Sequence, residues 1–107
     1  MPREMHRCRI TVVKKTHHAD LSTEYLDDSC RNRGPCELFE EGQVFDVDPS
    51  LPSNELCSRC SWAWFSIYDD VVKVAVGGDI PGMKDNGTIV TGCRDWFRPV
   101  IFKVERI

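Results

Sequence analysis

Cys57-Ser58-Arg59-Cys60 sets two thiols three residues apart, directly before the aromatic run Ser61-Trp62-Ala63-Trp64 that opens an amphipathic helix. A thiol at a helix start feels unpaired backbone N–H groups and the positive end of the helix dipole. Both favour thiolate, the form that binds metal and attacks electrophiles. Two thiolates on one turn can reach a common ion, so the pair has the local spacing of zinc or iron ligands. A zinc ribbon or rubredoxin-like centre needs a second C-x-x-C pair, and none of the other four cysteines supplies one. Further ligands must therefore come from scattered positions. Cys36 follows a Gly34-Pro35 turn and Cys93 ends a strand before a turn, and converging ligands commonly occupy such loop and terminus positions. Cys30 sits in a polar loop, Asp27 to Pro35. His17 and His18 close the first strand and are expected to be exposed, not ligating.

Three other readings compete with a metal site. Cys57 and Cys60 could form a reversible disulfide, but a thioredoxin-type pair follows a strand in a βαβ unit and this one follows a proline-rich loop. Cys60 could act as a nucleophile, although His6, His17 and His18 all lie far away in the N-terminal part of the chain. The thiols could also be inert structural residues, since free cysteine is among the most buried residue types. Cys8 belongs to that group, because alternation places it with Ile10 and Val12. No glycine-rich phosphate loop is present, for Gly77-Gly78-Asp79 follows a helix when it would have to precede one. Asp69 and Asp70 fall on a solvated helix face. Asp95, Arg98, Lys103 and Glu105 gather at the C-terminal hairpin, where outward-facing members read as surface ion pairs of little energetic weight.

These positions must be held by one domain spanning residues 1–107, with 41% hydrophobic and 29% charged residues. That is an ordinary globular composition with enough chain for one modest core. The net charge of −3 does not suit a phosphate backbone, so nucleic acid is not an expected partner. The local cluster Arg3, Arg7, Arg9, Lys14 and Lys15 reads as a solvated strand edge. No apolar run approaches membrane-spanning length, and the polar N-terminus is not a secretory signal, so the cytoplasm is the expected compartment. There, cysteines stay reduced and more often serve as buried thiols, metal ligands or redox groups than as a disulfide framework.

Strand alternation over Arg7 to Lys14 puts Cys8, Ile10 and Val12 on one face. Ala19 to Leu26 fits a short helix, and Gln43 to Asp48 a strand after the Gly42 turn. From Trp62 to Val76, the polar residues Ser66, Asp69, Asp70 and Lys73 recur at helical spacing among apolar and aromatic ones. Trp62, Trp64, Phe65 and Tyr68 read as core anchors of that helix, which Gly77-Gly78 stops. Thr88 to Cys93 and Arg98 to Ile107 read as two strands joined by a hairpin linker, Arg94 to Phe97. The expected fold class is α+β. It has about four mainly antiparallel strands, as a sheet or a partly open barrel, and one principal amphipathic helix.

Five ordered motifs carry a resemblance: Gly34-Pro35-Cys36; Glu41-Gly42-Gln43-x-Phe45; Cys60-Ser61-Trp62-Ala63-Trp64; Gly77-Gly78-Asp79-Ile80-Pro81; and Arg98-Pro99-Val100-Ile101-Phe102-Lys103-Val104-Glu105-Arg106. In this order they resemble a family of small prokaryotic proteins, common in anaerobes and archaea, to which no function is assigned. The resemblance implies that Cys36, Cys60 and Cys93 are the motif cysteines, with Cys57, Cys30 and Cys8 outside the pattern. The chain departs from it where a Cys-Thr-Asp-Gly turn is replaced by Cys93-Arg94-Asp95-Trp96, Asp95 being retained. Three cysteine ligands leave one coordination position for Cys57, water, a partner's ligand or substrate. The expectation is a cytoplasmic metal-binding domain with Cys36, Cys60, Cys93 and Cys57 as ligands to zinc or an iron–sulfur cluster. The alternatives are a non-enzymatic interaction module with structural thiols, and a thiol-based redox or nucleophilic enzyme using Cys60. A protein partner or a second copy of the chain is left open.

Overall fold

The computed structural model describes residues 5–30, 33–51 and 53–107. Arg3 of the basic cluster and Pro52 of the proline-rich loop lie outside them, as does part of the Asp27–Pro35 loop. Four strands, β1 (Cys8–Lys15), β2 (Val44–Val47), β3 (Thr88–Gly92) and β4 (Val100–Arg106), form one sheet in the order β2-β1-β4-β3. Every neighbouring pair is antiparallel, and β2 and β3 are its edges, so the sheet is open and not closed into a barrel. The fold is a small α+β domain. No helix is long and apolar enough to cross a membrane among the described residues.

One face of the sheet is apolar because the strands alternate. Cys8, Ile10 and Val12 of β1, Phe45 and Val47 of β2, and Val100, Phe102 and Val104 of β4 are all buried. Against them lies α3 (Ser61–Ala75), which buries Ala63, Trp64, Ile67, Val71, Val74 and Ala75. Phe39, from the loop before β2, fills the remaining space edge-on to Phe45 and Phe102, at ring separations of 6.0 and 5.4 Å. Among the described residues two smaller helices are also present: α1 (Ala19–Tyr25) and α2 (Glu55–Arg59).

The helix face differs from the expected one. Only Trp64 of the four proposed aromatic anchors is buried; Trp62 is 55% exposed, Phe65 68% and Tyr68 38%. The stripe 63/64/67/71/74/75 follows the helical period onto the sheet, and residues 62, 65 and 69 then fall on the opposite side. Asp70 is also not merely solvated, since its carboxylate accepts a 2.6 Å hydrogen bond from Thr91 Oγ1 and ties α3 to the edge strand β3.

A second departure lies in β1. Its pairing with β4 shifts by one residue between Val12 and Lys14, so Val12 faces Phe102 but Lys14 faces Ile101 and Lys15 faces Val100. One extra residue in a strand reverses the facing of everything after it. Lys15 is thereby carried to the apolar side of the sheet, beside the start of β4.

Candidate functional site

The proposed ligand cysteines meet where the β3–β4 hairpin turns. A cavity of about 110 Å³ opens at that end of the sheet, and Cys36, Cys60 and Cys93 all line it. The apolar wall is made by Leu38, Phe39, Trp62, Ala63 and Val100, and the charged lining by Asp95 and Arg98.

Each thiol is placed by a local rule. Cys93 extends β3 by one ladder step, its N–H donating to Val100 O at 3.1 Å. Its buried sulfur accepts from Val100 N–H at 3.3 Å. Cys60 is the N-cap of α3, with extended backbone (φ −155°, ψ 102°) and its sulfur accepting from Ala63 N–H at 3.4 Å. A cysteine here does what serine or aspartate does at a helix start, satisfying one of the orphan N–H groups. Cys36 stands on an irregular loop held by cations. Arg98 donates from Nε to Gly34 O at 2.8 Å and from Nη2 to Pro35 O at 3.0 Å, and Lys15 Nζ donates to Cys36 O at 3.0 Å. The β1 bulge is what brings Lys15 to this side.

Asp95 orders the hairpin turn, its Oδ1 accepting from Phe97 N–H and Arg98 N–H, each at 3.1 Å. Ser66 Oγ accepts from Arg94 N–H at 3.3 Å and donates to Trp62 O at 2.7 Å, fastening the turn to α3. Neither Asp95 nor Arg98 is the surface ion-pair residue expected from the sequence. That role falls to Lys103 and Glu105, 3.3 Å apart. Arg98, Asp95 and Lys15 are the site residues that sequence reasoning missed. The usable signal is Arg98-Pro99, a cation two residues before β4 and five beyond Cys93.

Cys57 is not among the residues lining the cavity. It belongs to α2, a separate short helix and not the start of the aromatic helix expected from the sequence, and its N–H donates to the Asn54 side chain at 2.8 Å. Cys60 ends α2 and begins α3, so the C-x-x-C pair straddles two helices and does not share one helix start. Cys8 is fully buried, and burial pushes its thiol up to about 11 from 9.0. Cys30 lines a neighbouring cavity. His18 is exposed, and the half-buried His17 pairs its Nε2 with Ser22 Oγ at 3.3 Å. All six cysteines are unpaired thiols.

Cys36, Cys60 and Cys93 line one space without converging on a point: among the described residues, no three His, Cys, Asp or Glu side chains are gathered tightly enough to hold a single ion. No family model, no curated protein and no solved structure matches this chain.

Proposed function

We propose that the chain is a cysteine-ligated metal-binding domain, with Cys36, Cys60 and Cys93 as ligands of an iron–sulfur cluster or zinc. The observation that carries this reading is the lining of one cavity by three thiols from three distant segments. Two of them already accept backbone N–H bonds of the kind that support a ligating thiolate. Of the two groups, a cluster suits the arrangement better. Its thiolates attach to different irons, whereas zinc draws its sulfurs to about 2.3 Å from one centre. When bound, such a group supplies electron transfer or a Lewis-acidic open position. The chain's own part is to hold the thiols apart, to exclude water with Leu38, Phe39 and Trp62, and to supply a charged lining with Asp95 and Arg98. Six reduced cysteines fit a cytoplasmic protein.

Anaerobically purified protein is expected to carry near-stoichiometric iron with sulfide, giving a brown sample, or near-stoichiometric zinc in a colourless one. Serine at position 36, 60 or 93 should remove it, while Cys57→Ser should not. Finding neither metal in the anaerobic protein sinks the proposal.

One observation favours a second reading. Cys60 is half-buried at the N-cap of a 15-residue helix and opens onto a cavity, the setting of a nucleophilic or redox thiol. A metal-free protein in which Cys60 alone alkylates rapidly at neutral pH would select this reading over the first.

A further inference from the structure

Beside the thiol cavity lies a second one of about 170 Å³, lined by Leu26, Cys30, Arg33, Asp95, Phe97 and Arg98. The two cavities share Asp95 and Arg98, so the β3–β4 turn is a common wall between them. Among the described residues, two arginines and one aspartate line the second space, and that aspartate's carboxylate is already accepting two backbone N–H bonds. Arg98 is held in place by the carbonyls of Gly34 and Pro35, which fixes its guanidinium at the boundary. The Nε–Nη2 edge of Arg98 is spent on those carbonyls, and its remaining Nη hydrogens, together with the cation of Arg33, are the donors left for an oxyanion, carboxylate or phosphate. Together the cavities are of the order of the smallest small-molecule sites, about 300 Å³.

We infer that the paired cavities form one bipartite ligand site. A small molecule bearing a carboxylate or phosphate anchors that group between Arg33 and Arg98 and presents its other end to the thiols of Cys36, Cys60 and Cys93. This extends the reading of the thiol cavity as a functional centre but needs no metal there, so the two can fail separately. Under it the open position of the thiol site is a ligand's position, and Arg98 selects by charge what reaches it.

The test compares two alkylating probes of the same size on the full chain after chelation: anionic iodoacetate and neutral iodoacetamide. With either, the thiolate sulfur forms a bond to carbon as iodide leaves, and the thiol proton passes to buffer. Rates are read cysteine by cysteine by peptide mass spectrometry, with Cys57, outside both cavities, as the internal reference. The iodoacetate-to-iodoacetamide ratio at Cys30, Cys36 or Cys60 should exceed that at Cys57 by about tenfold, the scale of electrostatic focusing in a charged cleft. It should collapse in Arg33→Gln, a change at an exposed side chain that leaves the fold intact. Inorganic phosphate protecting more than acetate at equal ionic strength assigns a phosphate headgroup, and the reverse a carboxylate. A ratio equal to that at Cys57, a preference that survives Arg33→Gln, cavity thiols that neither probe reaches, or no protection by either anion beyond chloride overturns the inference.

Discussion

The six thiols show how far environment separates chemically identical residues. Cys8 is locked under α3 with its sulfur near Val71 O at 3.9 Å, and burial disfavours its thiolate. Because its folded-state value, about 11, lies above the ordinary 9.0, the stabilising effect is complete below pH 9 and is lost as pH rises through 11. Denaturant titrations of wild type and Cys8→Ala should therefore diverge between those limits, wild type losing about 2 kcal/mol more than the variant. Parallel alkaline limbs would show that Cys8 is not the buried neutral thiol described. Cys60 and Cys93, by contrast, have sulfurs turned toward backbone N–H groups and a cavity. The sequence separated Cys8 from them through strand alternation, a short-range signal. Local spacing could not separate Cys57 from Cys60, because that division depends on the Asn54 cap starting an extra five-residue helix between a loop and α3.

At the scale of elements, periodicity predicted α3 and the β3–β4 hairpin to within a residue or two, and the hydrophobic alternation of β1 and β4 placed the core. What it could not rank was which aromatic residues of α3 face inward, since Trp62, Trp64, Phe65 and Tyr68 crowd more than one face of the helix. The sheet's position decides it. Trp64→Ala should cost about 3–5 kcal/mol in urea denaturation, and Phe65→Ser no more than about 0.5 kcal/mol; similar costs for both would invert the helix orientation. The β1 bulge was equally illegible, for Val12-Val13-Lys14-Lys15 alternates no more clearly with the bulge than without it. Its effect is to supply the cation that holds Cys36. On the opposite side, Gly92 admits no side chain, since a Cβ would meet Val100 O at 2.9 Å and Ile101 Cδ1 at 3.3 Å. The carbonyl is fixed by the β3–β4 ladder, so Gly92→Ala must displace the chain at Cys93. Far-ultraviolet dichroism is expected to stay native while metal content falls at least severalfold. Full metal occupancy in Gly92→Ala would mean that the position of Cys93 does not matter to the site.

For the whole molecule, the cavity sits where the loop before β2, the start of α3 and the β3–β4 turn have their ends brought together. These segments are distant in sequence, and the core that unites them lies to one side of the site. A group bound to Cys36, Cys60 and Cys93 therefore clasps three segments that only the unfolded chain lets drift apart, and its binding energy becomes folding energy. At free metal about a hundredfold above its dissociation constant, the linkage amounts to about 2.7 kcal/mol. For a domain of this size that moves the melting midpoint on the order of 10 °C. Chelation of the anaerobic protein should lower the midpoint by that amount, reversibly on return of zinc or, for a cluster, of iron together with sulfide. Cys57→Ser should show the same drop, because Cys57 stands outside the cavity, whereas Cys93→Ser should begin at the lower midpoint and ignore the chelator. The same melt discriminates the module with purely structural thiols. There, a variant with serine at 36, 60 and 93 folds fully, and the wild-type midpoint is indifferent to chelator. A wild-type curve unmoved by chelation would thus remove the clasp and leave the three thiols as cavity lining alone.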